Sequence, residues 1–263
     1  MRCRPVLLEN RKIVVTGGTG GIGRHVVGQL LDEKAVLLVV SRSDPGITGV
    51  GHLPADLSLM SEVERAAQQV AAWTPDILIN LAGDQFFGEF ETQPSRDVLS
   101  SYLLNIVAPT ILSQAVLPAM KAAGDGQIVN VGSIFGSISY PHFVTYSVAK
   151  AGLFALSQAL RRELEGSGVS VTHIAPRAVA SGLNRGAVAR FVEMANMAAD
   201  RPEKVAQRIV QAVRAKKRDV FIGFPESLFV RLNALAPRLV DRGLEKQTDQ
   251  ARMLLMSGLS EGD

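Results

Sequence analysis

The sequence contains very little cysteine, and this scarcity limits the chemistry that its own side chains can perform. Cys3 is the single cysteine among 263 residues. An internal disulfide needs two cysteines and a thiolate zinc site needs several, so neither is expected and we predict no metal site. A disulfide between two copies of the chain stays open. Any redox chemistry must therefore use a bound cofactor.

Long apolar runs and strong charge are also missing. No stretch reaches the roughly 18 uninterrupted apolar residues of a membrane span, and the apolar run near the N-terminus is too short for a signal peptide. We therefore expect a cytoplasmic protein. The formal net charge is only +3. The basic run at 214–218 is typical of a solvated face, so we expect no nucleic-acid partner.

What the sequence does contain is a regular alternation of strand-like and helix-like segments. KIVVTGG and AVLLVVSR are short, β-branched runs, and the amphipathic segment GIGRHVVGQLLDEK separates them. Such a βαβ unit builds parallel sheets. Further strand-like runs are DILINLAG, GQIVNVGS, GVSVTHIAP and DVFIG, with a weaker seventh at GVGHLP. We predict the α/β class: one Rossmann-like, doubly wound and mainly parallel sheet of six or seven strands, forming a single domain over residues 1–223.

Residues 224–263 carry a different pattern and are predicted to form a helical tail. Apolar side chains recur there at steps of three and four residues, which predicts one or two amphipathic helices interrupted at Pro237. Packing on the same domain or on a sister subunit is one interpretation. Weak contact with a membrane surface through Phe229 and the leucines is another. The residues that carry the pattern are Leu228, Phe229, Leu232, Leu235, Leu239 and Val240.

A glycine-rich loop, TGGTGGIG, joins the first strand-like run to the first helix. Glycine lets the backbone approach a pyrophosphate closely, and the helix N-terminus offers free N–H groups to the anion. Strand, loop, helix and second strand follow one another within about 30 residues, which is the context typical of dinucleotide binding. A tight glycine turn without a ligand is the alternative.

The end of the second strand indicates which dinucleotide is preferred. Ser41 and Arg42 stand where the 2′ group of the adenosine ribose is recognised, and a guanidinium there favours a 2′-phosphate. We therefore predict NADP(H) over NAD(H). A surface arginine is the alternative for Arg42, and Asp44 lies close enough in sequence to bind a 2′-hydroxyl instead.

The ordered set of motifs resembles the short-chain dehydrogenase/reductase family over residues 11–223. The TGxxxGxG loop is followed by ADL with Asp56, by NLAG at 80–83, by Asn105, by Ser133 after IVNVG, and by the YxxxK pair Tyr146 and Lys150. Ser133 precedes Tyr146 by thirteen residues, as is usual in that family. Each motif alone is weak, but the ordered set is specific.

The resemblance implies roles for these residues. Asn105, Ser133, Tyr146 and Lys150 would form a catalytic tetrad. Asp56 would hold the adenine ring, and Asn80 would shape the sheet beneath the cofactor. The expected cofactor-binding residues are Gly17, Thr19, Gly21, Ile22, Gly23, Ser41, Arg42, Asp56, Leu57, Asn80, Ala82, Gly83, Tyr146, Lys150, Pro176, Arg177, Val179 and Ser181.

The chemistry of carbonyl reduction explains why these residue types are needed. Hydride transfer to a carbonyl leaves an alkoxide that must receive a proton, and Tyr146 can supply it. Lys150 lies one helical turn from Tyr146, so its ammonium is expected to lower the phenol pKa from about 10. Ser133 can donate to the carbonyl oxygen, and Asn105 can anchor a water that resupplies protons.

The sequence therefore predicts an NADP(H)-dependent oxidoreductase that interconverts carbonyl and alcohol groups. A dinucleotide-binding homologue without activity, acting as a sensor or an assembly subunit, is the alternative. The resemblance also implies a homodimer or homotetramer.

Two places depart from the family pattern. Arg177 stands where glycine usually follows the proline, and it must adopt a negative φ or accept strain. Its guanidinium can meet the cofactor phosphates, an acidic substrate or a structural salt-bridge partner. Leu81 replaces a second asparagine, which we expect to be harmless.

Residues 181–201 are the predicted substrate lid. Apolar residues expected to form a hydrophobic pocket, or simply the core of the lid, are Phe86, Phe87, Phe135, Tyr140, Phe191, Met194 and Met197.

Overall fold

The computed structural model describes residues 6–184 and 186–259. Cys3, one residue of the predicted lid, and the end of the predicted tail at 260–263 lie outside the described residues. Seven strands form one parallel sheet in the order β3-β2-β1-β4-β5-β6-β7. The predicted class and the weak seventh strand at GVGHLP are thereby confirmed. The strands are β1 Lys12–Thr16, β2 Val36–Ser41, β3 Val50–Pro54, β4 Ile77–Asn80, β5 Gly126–Val131, β6 Val169–Pro176 and β7 Asp219–Ile222.

Helices connect the strands and cover both faces of the sheet. The helices are α1 Gly21–Asp32, α2 Met60–Trp73, α3 Ser95–Tyr102, α4 Ala108–Ala123, α5 Val144–Glu163, α6 Ala187–Met194, α7 Pro202–Arg214, α8 Glu226–Leu235 and α9 Pro237–Leu259. On one face, α1 and α7 bury residues such as Val26 and Ile209. On the other face, α2 and α4 bury Val70 and Leu112. Because both faces are covered, the strands read as continuous apolar runs.

The strand order places a crevice at the carboxyl ends of β1 and β4. The strand β1 pairs with β2 on one side and with β4 on the other. The chain therefore turns in opposite directions on leaving the two halves of the sheet, and ligands of open α/β sheets bind at such a switch point. Gly17 follows β1 there, and the segment 81–83 follows β4.

The long helical segment 95–123 is interrupted by a π-helical turn at Leu103–Val107. Pro109 lies four residues after Asn105 and has no N–H to donate to the Asn105 carbonyl, so the regular helix cannot continue there. By length and composition alone, Ser95–Ala123 is apolar enough to cross a membrane. Buried core helices pass the same test, and this one buries Leu112 and Val116 against the sheet.

The tail forms two helices, α8 and α9, and the break between them lies at Ala236, next to Pro237. Val230 and Val240 pack against Ile138 of the domain. Ala251 and Leu254 of α9 join a buried cluster around Phe191 of α6. The helix α9 thus lies against the predicted lid, while other apolar side chains remain exposed: Phe224, Leu228, Phe229, Leu235 and Leu239.

Candidate active site

The glycine-rich loop forms a cradle that only glycine permits. Gly17 has a φ of +70°, in the left-handed region. A Cβ on Gly23 would lie 2.2 Å from the carbonyl oxygen of Gly17, and a Cβ on Gly21 would lie 2.7 Å from the Cβ of Ser181. The loop backbone and the start of α1 therefore border an open groove with room for a ligand.

The groove next to this cradle has a volume of about 500 Å³. Its size and its exposed backbone fit a dinucleotide, whose phosphates bind to helix N-termini. Most of the cofactor-binding residues named from the sequence line it: Gly17, Thr19, Gly21, Ile22, Gly23, Ser41, Arg42, Asp56, Leu57, Ala82, Gly83 and Ser181.

Arg42 and Asp56 both line the groove, and their charges interact. The Ser58 hydroxyl donates a 2.6 Å hydrogen bond to Asp56 and, with the Arg42 charge, holds the pKa of Asp56 below its ordinary value. Asp44 does not line the groove. It instead accepts a 2.7 Å bond from the Gly46 N–H. Arg42 and Asp44 were the two candidates for binding the 2′ group of the adenosine ribose, and of these two only Arg42 lies beside the groove.

Asn80 is buried inside the sheet and does not line the groove. Its side-chain amide donates a 2.8 Å hydrogen bond to Asn130 and so joins β4 to β5. The structure therefore supports the shaping role for Asn80, whose side chain does not border the groove. Thr16 has a comparable task, since its hydroxyl accepts 3.0 Å bonds from the N–H groups of Leu81 and Ala82 and fixes the loop that follows β4.

Ser133, Tyr146 and Lys150 come together in a second, smaller pocket of about 110 Å³. Ser133 follows β5 and caps a short 3₁₀ turn by accepting a 3.2 Å bond from the Phe135 N–H. Tyr146 and Lys150 project from successive turns of α5, and the Lys150 Nζ lies 5.6 Å from the centre of the Tyr146 ring. This pocket adjoins the groove, since Ile22, Gly83 and Ser181 line both.

The pKa values in this pocket differ from the sequence-based expectation. Burial raises the pKa of Tyr146 to about 12; interaction with Ser133 lowers it, and the Asp84 charge raises it further. Burial lowers the pKa of Lys150 to about 8, against the opposing pull of Asp84. The expectation that Lys150 brings the phenol toward ionisation is therefore wrong for this structure. Burial is the largest influence on the pKa of Tyr146, so Tyr146 is a neutral phenol that holds a proton to donate.

We expect Lys150→Met to raise the free energy of unfolding by about 2 kcal/mol near pH 7, because the wild type buries an ammonium there. The folded pKa of about 8 lies below the ordinary 10.5. The cost is therefore fully present below about pH 8 and disappears as the pH rises toward 10.5. Urea unfolding at about pH 7 and about pH 10 measures the difference.

The exposed Lys121 of α4 offers a matched control for this experiment. Lys121→Met should change the free energy of unfolding by less than about 0.5 kcal/mol at either pH. A Lys150→Met gain that is equal at both pH values would contradict burial of the charge as its cause.

Asn105 lies fully buried on the π-helical turn, beside the same pocket. Its side-chain nitrogen donates to the Asp84 carboxylate at 2.7 Å. Its side-chain oxygen has no hydrogen-bond partner within the described part of the chain. That oxygen and the Lys150 Nζ both lie within 3.3 Å of the position that a Cβ on Gly83 would occupy. Gly83 therefore keeps open the space between them.

Arg177 holds a salt-bridge network and does not line the glycine-rich groove. Its guanidinium binds Asp200 in a two-bond arrangement, with Nη2–Oδ1 at 2.8 Å and Nε–Oδ2 at 3.1 Å. Its Nη1 lies 3.1 Å from Glu226 of α8. Of the three roles left open for Arg177, the structure shows the salt bridges, and contact with cofactor phosphates or an acidic substrate stays a prediction. Its φ is not positive, so the backbone is unstrained.

Aromatic and aliphatic side chains form most of the wall of the small pocket. Phe135, Phe191 and Met197 line it as expected, together with Phe143 and Val188. Phe87 and Tyr140 pack behind this wall in the same cluster. Met194 is exposed on α6, and Phe86 lies against Gly88, so these two do not form the pocket. Pro176, Arg177 and Val179 line this pocket rather than the groove.

Three residues beside the site were not predicted from the sequence to be site residues. Leu81 lines both cavities, whereas we expected its substitution only to be harmless. Gln85 donates a 2.8 Å bond to Asn184 and so connects the loop after β4 to the predicted lid. Asp84 lies between the groove and Asn105. The signal for Asp84 was its place directly after the NLAG motif, but its partner Asn105 is twenty-one residues away in sequence.

Comparison with known proteins gives relatives that match most of the chain. The family model described as short chain dehydrogenase matches residues 11–191. A ketoacyl reductase, HetN, from Nostoc sp. is 28% identical, covering 89% of this chain and 88% of its own. A fatty acyl-CoA reductase from Mycobacterium tuberculosis is 30% identical, covering 94% and 88%. A short chain dehydrogenase from Burkholderia cenocepacia, solved in complex with NADP, has a TM-score of 0.77 at 22% identity, covering 91% and 99%.

Proposed function

The chain belongs to the short-chain dehydrogenase/reductase family and is an oxidoreductase that acts on CH–OH or C=O groups, and we propose that it uses NADP(H) to reduce hydrophobic carbonyl compounds reversibly. One observation carries this proposal. Ser133, Tyr146 and Lys150 line a mainly apolar pocket, and that pocket opens into the groove formed by the glycine-rich loop.

In this proposal the groove residues hold the cofactor. The loop 17–23 and the N-terminus of α1 receive the pyrophosphate, Asp56 and Leu57 border the adenine, and Arg42 meets the 2′-phosphate. When bound, NADPH supplies the hydride to the carbonyl carbon. Gly83 and Ser181 line both cavities, so the reacting ends of cofactor and substrate meet beside them.

The chain's own residues then manage the proton and the developing charge. Ser133 donates a hydrogen bond to the carbonyl oxygen, which stabilises negative charge as it develops. Tyr146 gives its phenol proton to that oxygen as the alcohol forms. Lys150 offsets the charge left on the phenolate, and Asn105 supports return of the proton to Tyr146. A phenol pKa of about 12 suits this direction, because Tyr146 stays protonated at neutral pH.

The shape of the pocket supports a hydrophobic and uncharged substrate. Phe135, Phe143 and Phe191 supply apolar walls, and the guanidinium of Arg177 is already bound to Asp200 and Glu226. The names of two relatives point to ketoacyl and fatty acyl-CoA groups. A panel of neutral medium-chain ketones and aldehydes, followed by NADPH absorbance and by alcohol formation, tests the proposal. Cofactor binding without turnover across that panel would reject it.

We expect Arg42→Gln to weaken NADPH binding by about tenfold to a hundredfold, because a charge-assisted bond to the 2′-phosphate is lost. NADH lacks that phosphate, so its affinity should change less than about threefold. Fluorescence titration with both cofactors measures the two dissociation constants. Arg208→Gln makes the same charge change on the exposed face of α7 and serves as the control. Equal losses for both cofactors would contradict the assignment.

The relatives named as reductases argue against the non-catalytic alternative. It rested on Arg177 and on the tail, and in the structure the Arg177 side chain binds Asp200 and Glu226.

We further propose a cytoplasmic homodimer or homotetramer, supported by the exposed apolar residues Leu99, Val144 and Val148 on α3 and α5. Weak contact of the tail with a membrane surface is a separate proposal, supported by the exposed Leu228 and Leu235. The division into a catalytic domain at 1–223, a lid at 181–201 and a tail at 224–263 also stays a proposal.

A further inference from the structure

Asp84 lies at the junction of the cofactor groove and the proton-transfer residues. Its carboxylate lines the groove. One oxygen, Oδ1, accepts a 2.7 Å hydrogen bond from the Asn105 side chain and a 3.1 Å bond from the Ser101 hydroxyl. Its backbone carbonyl accepts a further 3.1 Å bond from the same Asn105 nitrogen. Asp84 therefore ties the loop after β4 to both α3 and the π-helical turn.

These contacts fix which way the Asn105 amide faces. Its side-chain nitrogen is surrounded by the Asp84 carboxylate, the Asp84 carbonyl and, at 3.0 Å, the Ser101 carbonyl. All three groups can only accept hydrogen bonds, so the NH₂ end must face them. The amide oxygen is thereby turned to the opposite side, toward Gly83 and the Lys150 Nζ. A neutral apolar residue at position 84 would remove the strongest of these constraints.

Asp84 is also the acidic group whose charge acts on both Tyr146 and Lys150. The other ionisable groups around Lys150 are neutral or paired with an opposite charge, so they do not cancel the effect of the Asp84 charge on Lys150. On β6, His173 is buried, and its pKa is lowered to about 4, so it is neutral. Behind His173, Arg161 pairs with Asp219 at 2.9 Å. Across the pocket, Arg177 pairs with Asp200 and Glu226.

We propose that Asp84 is a positioning residue for proton transfer, which fixes the Asn105 amide and places a negative charge near Lys150 that favours the protonated lysine during carbonyl reduction. This inference rests on the proposed function. Asp84 touches Asn105 rather than the reacting atoms, so it acts through the neighbouring residues.

The sign of the expected pH effect follows from the charge. A carboxylate nearby favours the protonated form of a lysine and of a tyrosine, so its removal lowers both pKa values. In the proposed reduction both groups act in their protonated forms, so we expect loss of the Lys150 proton to limit activity at alkaline pH. Without the Asp84 charge, that limit moves to lower pH by about one unit.

Three substitutions of Asp84, with Ser101→Ala as a control, separate the orientation of the Asn105 amide from the effect of the Asp84 charge. Asp84→Asn keeps an oxygen that can accept from Asn105 and removes the charge, so the alkaline limb of kcat/KM should move down by about one unit. Asp84→Glu restores the charge and should recover most of that shift. Asp84→Leu removes both, so kcat should fall about tenfold or more at every pH as well. Ser101→Ala, which removes one hydrogen bond to Asp84 and no charge, should leave the limb in place.

A second measurement does not depend on turnover. In lysine-labelled protein, the ¹⁵N resonance of the Lys150 ammonium reports its protonation directly, and Asp84→Asn should lower its midpoint by about one unit. An unchanged Lys150 midpoint in Asp84→Asn, or an unchanged alkaline limb in an active Asp84→Asn enzyme, overturns the inference. If the midpoint falls but no carbonyl is reduced by the wild type, the proposed function fails while the effect of Asp84 on Lys150 stands.

Discussion

Tyr146→Phe is expected to lower kcat for carbonyl reduction by about 10²–10⁴-fold, because it removes the proton donor and little else. The tyrosine ring is buried and meets Phe135 edge-on, with ring centres 6.4 Å apart. A phenylalanine ring can keep these contacts, so the fold and the affinity for NADPH should be retained. Only the hydroxyl, which lies beside Ser133 in the pocket, is lost.

Tyr140→Phe supplies a matched control for this substitution. Tyr140 lies in the same aromatic cluster and stacks on Phe135 with ring centres 4.5 Å apart, but it does not line the pocket. It makes the same chemical change without removing the proposed acid, so kcat should stay within about threefold of the wild type. Initial rates of NADPH oxidation, with cofactor affinity measured separately, give the comparison. A Tyr146→Phe enzyme with wild-type kcat would reject the proposed proton donor.

Gly23→Ala is expected to weaken NADPH binding by more than about a hundredfold and to destabilise the fold by roughly 3 kcal/mol. An added Cβ would lie 2.2 Å from the carbonyl oxygen of Gly17 and 2.8 Å from the Cα of Gly18. Both neighbours are backbone atoms, so no side chain can rotate away. The loop itself must move, and its N–H groups leave the positions from which they would meet a pyrophosphate.

Gly28→Ala in the same helix is the control for replacing a glycine by alanine, and we expect the opposite result. A Cβ on Gly28 meets nothing within 4 Å. Alanine is the better helix former, so stability should rise by about 0.5–1 kcal/mol with cofactor affinity unchanged. Thermal unfolding and NADPH titration of the two variants compare their stabilities and their affinities for NADPH. Similar behaviour of both would contradict a cradle that depends on close backbone contact.

The strands of the sheet could be predicted from the sequence because each one is marked by a short run of neighbouring residues. Each strand is a short β-branched run, and even the weak GVGHLP segment forms β3, where it pairs with β2. The π-helical turn was missed, although Pro109 four residues after Asn105 carried a signal for it. The helix α6 within the predicted lid was also missed, since Ala187–Met194 is short and its flanks are irregular.

The candidate site was predicted less completely because its energetics depend on burial and on distant partners. Spacing placed Lys150 one turn from Tyr146, but it carried no information on desolvation, which raises the pKa of Tyr146 to about 12. The partners of Arg177 are twenty-three and forty-nine residues away, so its salt bridges could be named only as one option. Asp84 was missed for the same reason, since its importance lies in the contact with Asn105.

A crystal structure of the NADPH complex tests the central claim most directly, through the position of the nicotinamide C4 atom relative to Tyr146. We predict that the ring enters between Gly83 and Ser181, with its C4 facing the pocket. A carbonyl placed over C4 would then lie within hydrogen-bond reach, about 3 Å, of both the Tyr146 and the Ser133 hydroxyls. A nicotinamide bound away from that pocket, or a Tyr146 hydroxyl turned from the ring, would contradict the account.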